Sequence, residues 1–197
     1  NVELTEGQRA LTTVARVTGS SFADWTREQI FLPAAMLHTR FADNNRLVLP
    51  NRADSYSWAG EGLYERDVLS TADVGCGELW TTVDDLARWT TYLRDLTAAD
   101  PGLARRLTEP GRLNDGSATN YACGRFLGTQ RGRTTFFHSG KTAGYRSFLL
   151  CLDDPDLAIV ILGNASWLSP TELAQQVADL CLDALGVPPA AAPNDHG

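Results

Sequence analysis

The N-terminal part of the chain carries apolar residues at the three- and four-residue spacing of amphipathic helices. Thr5 to Gln8 has the form of a capping box, and Gly19 predicts the end of the helix that follows. The apolar stripe of this first helix consists of Leu11, Val14, Ala15 and Val17. A second helix is predicted between Ser21, as its N-cap, and Pro33.

Residues 39–80 show no sustained periodicity of apolar positions. They are rich in Asn, Asp, Gly and Arg and predict a long loop, which commonly forms one wall of a ligand cleft. Thr82 and Asp85 predict the start of a third helix. Its apolar residues are Val83, Leu86, Trp89, Tyr92 and Leu93. A short helix is predicted over Pro101–Leu107, before Pro110.

The closing section changes to the β-rich runs of a sheet, separated by turn residues. The predicted strands are Tyr121–Gly128, Arg133–His138, Tyr145–Leu152 and Leu157–Gly163. The last strand is apolar on both faces, which predicts a central place in the sheet. Ser169 and Pro170 predict the start of a final helix. This helix is expected to bury Leu173, Val177, Leu180, Cys181 and Leu185 against the sheet. The chain is thus predicted to be α+β, with an antiparallel β-sheet flanked by helices.

Composition narrows the classes of function. With 197 residues, 43% of them hydrophobic, the chain is long enough to bury a core. A net charge of −7 argues against a nucleic acid or an anionic membrane as partner, because both attract clusters of Lys and Arg. No apolar run approaches the roughly 20 residues of a membrane span. The cysteines are scattered, so we expect buried thiols, no metal site and no cofactor. They are Cys76, Cys123, Cys151 and Cys181.

The candidate chemistry lies in His138-Ser139-Gly140, followed by Lys141. These residues end a predicted strand and combine an imidazole, a hydroxyl and a glycine, which lets a substrate backbone approach closely. Such a strand end suits an acyl-transfer site. The alternative is that His138 merely ends the strand and bonds a nearby carbonyl group, and His138 taken alone favours that alternative.

Four segments, in their order along the chain, resemble motifs of the penicillin-recognising serine hydrolases. This superfamily includes class C β-lactamases, D-alanyl-D-alanine carboxypeptidases and related esterases. The segments are Val14–Phe22, Ile30–Met36, Gly75–Trp89 and Tyr121–Asn164. Within the last of them, His138-Ser139-Gly140 resembles the family's Lys/His-x-Gly motif. With this resemblance, a role for His138 in the active site is favoured over a purely structural one.

The resemblance implies a role for each residue of this motif. His138 would belong to the catalytic proton network, and the backbone N–H of Lys141 would donate a hydrogen bond to the oxyanion. Ser139 and Gly140 would bind the substrate. The partner implied is a small-molecule or peptide substrate.

The family's nucleophile lies in a Ser-x-x-Lys motif. Lys141 is the only lysine of the chain and His138 stands three residues before it, so the printed sequence contains no such motif. The Tyr-x-Asn or Ser-x-Asn motif expected near the N-terminus is also missing from Asn1–Glu6. We therefore expect the chain to contribute the His-x-Gly strand and a cleft wall, but not the nucleophile.

The expected organisation is the C-terminal part of a serine β-lactamase-like domain, N-terminally truncated, over residues 1–186. Helices and the long loop occupy 1–119, the closing strands and last helix 120–186, and a disordered tail 187–197. Truncation would expose an edge strand and an apolar face, so we expect self-association or a complementing N-terminal segment. The resemblance implies a bacterial protein. The chain begins with Asn rather than Met, which leaves a cytoplasmic or an exported location open.

Two classes of function stay open on the sequence. One is a member or fragment of a hydrolase that acts on β-lactam, D-Ala peptide or ester bonds through an acyl-enzyme, with the isolated chain inactive. The other is a non-catalytic protein that keeps the cleft to bind a ligand or a partner.

Three other features are interpreted as structural. Gly140-Lys141-Thr142 lacks the earlier glycine of a phosphate-binding loop, because Thr135 stands in its place. Asp84 and Asp85 are expected to suit the helix dipole rather than to form a catalytic pair. The last feature is a set of tryptophans, which are expected to pack in the core or at its rim rather than to line a carbohydrate or lipid cleft. They are Trp58, Trp80 and Trp167.

Overall fold

A computed structural model describes residues 6–42, 48–68 and 77–189. Thr5 of the predicted capping box, Cys76 and most of the predicted tail lie outside the described residues. The chain forms two compact units. The first comprises the described residues up to Tyr92 together with Thr142–Tyr145 and Asn164–Trp167, and the second comprises the rest.

The first unit begins with two helices where they were predicted. Helix α1 is Glu6–Thr18, and it ends because Gly19 adopts a φ of 72°, which lets its N–H bond the carbonyl of Ala15 at 3.0 Å. The apolar stripe predicted for this helix includes a residue that is not buried, since Val17 is 80% exposed. Helix α2 is Phe22–Thr26. Its N-cap is Ser21, whose hydroxyl accepts from the Asp24 N–H at 3.0 Å, as predicted.

The core of the first unit forms around the end of the second helical segment. A π-helical turn, Arg27–Phe31, follows α2, and Pro33 follows that turn. Phe31, Ala34 and Met36 are buried there. The partly buried residues packed on them are Ile30, Phe41, Leu86, Trp89 and Tyr92.

Helix α3, Val83–Ala99, carries a buried carboxylate in its first turn. Asp85 is fully buried. It accepts hydrogen bonds from the His38 N–H and the Thr39 hydroxyl, each at 2.8 Å, and pairs with Arg88 at 2.8 Å. The structural role predicted for this carboxylate is confirmed, but its basis is these bonds more than the helix dipole.

Residues 39–80 contain short strands that the sequence pattern did not predict. Strand β1, Arg40–Phe41, pairs with β4, Leu79–Trp80. Strand β2, Tyr56–Gly60, and strand β3, Leu63–Arg66, form an antiparallel hairpin. All four residues of β3 are exposed, so this hairpin lacks the alternating buried face that marks a strand in a sequence.

In the second unit, helix α4 is Pro101–Thr108, close to its predicted bounds, with Asp100 as N-cap. The sheet that follows consists of β5 Tyr121–Ala122, β6 Arg125–Gln130, β7 Arg133–Thr142, β8 Tyr145–Leu152 and β9 Leu157–Gly163. Its strands lie in chain order. The first predicted strand is therefore two strands, separated by a turn at Cys123 and Gly124.

The predicted central place of β9 is wrong. Among the described residues β9 pairs only with β8 and forms an edge of the sheet. An apolar residue on each face of a strand indicates burial of its faces, whereas a central position depends on hydrogen bonding at both edges.

Helix α5, Pro170–Ala184, packs on this sheet with a face that matches the predicted one only in part, since Val177 contacts the core as predicted. Its fully buried residues are Ala174, Ala178 and Leu182. Leu180 is 70% exposed, and Leu173 and Leu185 are also exposed. Small alanines let the helix backbone lie close to the strands, so the face in contact is not the one with the largest side chains.

Candidate active site

The four predicted site residues stand next to one another near the end of β7, the longest strand described. His138, Ser139 and Lys141 are exposed, and Gly140 is half-buried. The strand runs to Thr142 and so extends past the predicted end at His138. The segment from Gly140 to Thr142 is strand, not a loop leading into a helix, which confirms that it is not a phosphate-binding loop.

Gly140 lies close to the neighbouring strand. A Cβ at this position would come within 2.3 Å of the Ser147 Oγ on β8. A side chain here would displace that hydroxyl and cover part of the strand surface between His138 and Lys141. The glycine therefore keeps the backbone open to an approaching molecule.

The imidazole of His138 is held among aromatic rings. Its Nε2 lies 3.2 Å from the Tyr121 Oη, and its ring centroid lies 5.8 Å from that of Phe126. Sequence reasoning missed Tyr121 because β5 is only two residues long and its partner is fixed by strand register. The pairing of Tyr121 with Phe126, and of Phe126 with Phe137, brings the phenol to the end of β7.

The tip of the β7–β8 hairpin belongs to the first unit and is anchored there. Gly144 is buried, and its N–H donates to the Ser55 Oγ at 3.3 Å. A Cβ on Gly144 would lie 2.6 Å from both the backbone N and O of Tyr56. Tyr145 donates its hydroxyl to the Ala53 carbonyl at 2.7 Å. The Gly-Tyr pair that follows the His-x-Gly motif is thus held within the first unit by Ala53, Ser55 and Tyr56.

The predicted tryptophans occupy different environments. Trp80 is half-buried and meets Tyr145 edge-on at 5.3 Å. Trp58 and Trp167 are 53% and 54% exposed, and both contact the ring of Tyr64, so they are not core residues.

The cysteines in the part of the chain that is described belong to no candidate metal site. No group of three His, Cys, Asp or Glu side chains within residues 6–42, 48–68 and 77–189 could hold a metal ion. Burial raises the pKa of the Cys151 thiol to about 12. Cys181 is half-buried, and Cys123 is exposed, which corrects the expectation that all these thiols are buried.

Among the described helices, none is long and apolar enough to cross a membrane.

Most of the chain, in both units, resembles one known family. A sequence profile of the Beta-lactamase family matches residues 10–181. The chain belongs to the Beta-lactamase family. The resemblance to penicillin-recognising serine hydrolases noted in the sequence is therefore confirmed.

The curated relatives of the chain include a D-aminopeptidase and a penicillin-binding protein. A D-aminopeptidase of Gluconobacter oxydans is 29% identical over 87% of this chain and 32% of its own length. Penicillin-binding protein 4* of Bacillus subtilis is 28% identical over 77% of this chain and 36% of its own length. The chain thus spans about a third of the length of these relatives.

Solved structures confirm the serine β-lactamase-like fold. The octameric penicillin-binding protein homologue of Pyrococcus abyssi matches with a TM-score of 0.70 at 20% identity, over 88% of this chain and 40% of that one. The D-amino acid amidase of Ochrobactrum anthropi SV3, complexed with L-phenylalanine, matches with a TM-score of 0.69 at 19% identity. That match covers 94% of this chain and 57% of the amidase.

Proposed function

We propose that this chain forms the His-x-Gly side of the active site of a β-lactamase-related serine hydrolase that works through an acyl-enzyme. The observation that carries the proposal is the end of β7. An exposed imidazole stands there two residues before a glycine that keeps the strand surface uncovered. Membership of the family supports acyl transfer as the chemistry of this surface.

The residues of β7 take the following roles in the proposal. His138 binds or protonates the part of the substrate next to the scissile bond, and general acid–base help of this kind contributes about 10²–10⁴ in rate. The Lys141 N–H donates to the oxyanion, and losing one such donor costs about 10²–10³ in rate. Ser139 hydrogen-bonds the substrate, and Gly140 admits its backbone.

The nucleophile is proposed to come from outside the printed sequence. The chain has no Ser-x-x-Lys, because its one lysine follows His138 by three residues. The relatives it matches extend over about three times its matched length, which leaves room for such a motif elsewhere in a longer protein.

The proposed substrates are amides of D-amino acids and short peptides that begin with a D-residue. Two relatives support this choice, the D-aminopeptidase of Gluconobacter oxydans and the D-amino acid amidase of Ochrobactrum anthropi SV3. An amide substrate also suits an imidazole at the third motif, since the leaving amine must be protonated as it departs.

Hydrolysis assays on the protein encoded by the whole reading frame test this function. We expect D-alaninamide to be hydrolysed faster than L-alaninamide and faster than a penicillin. His138→Ala should lower kcat/KM for D-alaninamide by about 10²–10⁴. His38→Ala is the matched control, because His38 is exposed and its described bond to Asp85 comes from the backbone N–H.

The opposite results would identify the alternative function. A whole protein that binds D-alaninamide but hydrolyses none of it would be a non-catalytic binding protein of the same lineage. Activity that survives His138→Ala unchanged would remove His138 from the site.

Association is the remaining part of the proposal. We propose that the isolated chain associates with itself or with a complementing N-terminal segment, and the octameric assembly of the Pyrococcus abyssi homologue supports this. The edge strand β9 and the exposed apolar side chains Leu162 and Leu180 of the second unit are the features that such an association would cover. Sedimentation of the 197-residue chain as a monodisperse monomer would contradict it.

A further inference from the structure

Tyr121 contacts the site residue His138 and has no role in the function proposed above. We infer that Tyr121 is a positioning residue that sets both the orientation and the tautomer of the His138 ring. The inference rests on the proposed function in one respect, namely that His138 faces the substrate. Its evidence is the 3.2 Å separation between the Tyr121 Oη and the His138 Nε2, which is a hydrogen-bonding distance.

The phenol is well placed to orient another side chain because its ring packs against the end of a series of aromatic rings. Phe148, which is buried, stacks on Phe137 at 5.7 Å, and Phe137 stacks on Phe126 at 5.5 Å. Phe126 meets Tyr121 edge-on at 4.7 Å. The series of rings therefore leads from the core of the second unit to the hydroxyl that contacts His138.

The same rings restrict the imidazole. Phe126 lies 5.8 Å from it at an interplanar angle of 31°, and Tyr121 reaches its Nε2 edge. A ring that contacts Phe126 at a tilt and has one nitrogen at a hydroxyl has a preferred χ2, although its residue is exposed. This preference matters for a catalytic group, because a misplacement of about 1 Å can lower the rate about 10²-fold.

The hydrogen bond also selects the tautomer. The nitrogen that carries the proton in a neutral imidazole is set by the bond that the other nitrogen makes. A phenol is a good donor, and an unprotonated imidazole nitrogen is a good acceptor, so Tyr121 donates to Nε2. The proton of neutral His138 then lies on Nδ1, which becomes the donor offered to the substrate. If the ring is protonated, the Nε2–H donates to the phenol oxygen and the orientation is kept.

Nitrogen NMR of the imidazole side chains tests this inference on the 197-residue chain itself. The chain has three histidines, so their long-range ¹H–¹⁵N correlations are few enough to resolve. At alkaline pH we expect His138 to show the Nδ1-protonated form as its major tautomer. Tyr121→Phe keeps the ring against Phe126 and removes only the hydroxyl. It should lower the ratio of the Nδ1–H to the Nε2–H tautomer by about threefold to tenfold.

Tyr145→Phe is the matched control, since it removes a tyrosine hydroxyl that donates to Ala53 instead. It should leave the His138 tautomer ratio unchanged. A wild-type His138 that is mainly Nε2-protonated would overturn the inference, and this outcome does not depend on how any variant folds. An unchanged ratio in Tyr121→Phe would overturn it as well.

Kinetics of the whole protein separate this inference from the proposed function. A positioning role predicts that Tyr121→Phe lowers kcat for D-alaninamide about tenfold or more, with KM little changed. A protein without hydrolase activity whose His138 nevertheless shows the expected tautomers would refute the proposed function alone. An active enzyme with the other tautomer, or with kcat unaffected by Tyr121→Phe, would refute the positioning role alone.

Discussion

Gly144→Ala should be one of the most damaging single-methyl additions to the first unit. The new Cβ would lie 2.6 Å from the Tyr56 N, 2.6 Å from its O and 2.9 Å from the Ser55 Cβ. Neither backbone atom of Tyr56 can move freely. Its N–H bonds the Asn164 carbonyl, and its carbonyl accepts from the Ser166 N–H, both at 2.9 Å.

The expected loss in the free energy of unfolding follows from these contacts. Overpacking of a closed site costs about 1–3 kcal/mol. Weakening the two Tyr56 bonds adds about 1 kcal/mol each. The lower chain entropy of unfolded alanine offsets about 0.4–1 kcal/mol. The net loss is about 3 kcal/mol, which corresponds to a fall in Tm of about 6–12 °C for a chain of this size.

Urea unfolding followed by tryptophan fluorescence, with a thermal melt by circular dichroism, measures this loss. Gly140→Ala is the matched control. Its Cβ would meet the Ser147 Oγ at 2.3 Å, a nominally closer clash, but that hydroxyl can rotate away. We expect the control to lose less than about 1 kcal/mol. If Gly144→Ala were as stable as wild type, or the control lost as much, the argument that backbone contacts decide the cost would fail.

Three further predictions concern buried groups, each checked by urea unfolding. Asp85→Asn should lower the free energy of unfolding by about 2–4 kcal/mol, because it leaves the three partners of the carboxylate imperfectly matched. Asp84 is exposed, so Asp84→Asn should be nearly neutral. Leu182→Ala should lower the free energy of unfolding by about 2–5 kcal/mol, because Leu182 is fully buried. Leu180 is 70% exposed, so Leu180→Ala should lower it by less than about 0.5 kcal/mol. Equal losses in the two variants would refute the packing of α5. The pKa of Cys151 is raised from 9.0 to about 12, so between these values the unfolded thiol loses its proton first. Stability should therefore fall as pH rises through this window, and Cys151→Ala should reduce the slope. An identical slope in the variant would contradict this.

Local features of the site were predictable from the sequence. His138, Ser139, Gly140 and Lys141 are consecutive, so any strand through them places them at one strand end. The end of the first helix at Gly19 was predictable for the same reason. So were the N-caps at Ser21 and Thr82, because a cap depends on neighbours within one turn.

Features that depend on which elements pack together were not predictable. The α5 face was predicted from its leucines, but a close approach of the helix to the sheet favours Ala174 and Ala178. The place of β9 was inferred from apolar faces, which do not determine edge pairing. Tyr121 reaches His138 only through two strand pairings and a ring stack, and no local pattern contains that information.

Intact-mass spectrometry after treatment with a fluorophosphonate tests the central claim most directly. The claim is that this chain supplies the His-x-Gly side of a serine hydrolase site while the acylated serine lies elsewhere. It predicts no adduct on the folded 197-residue chain, and one stoichiometric adduct on the protein of the whole reading frame, at a serine followed three residues later by lysine. A stoichiometric adduct on the 197-residue chain itself, with Ser139 the first residue to map, would contradict it.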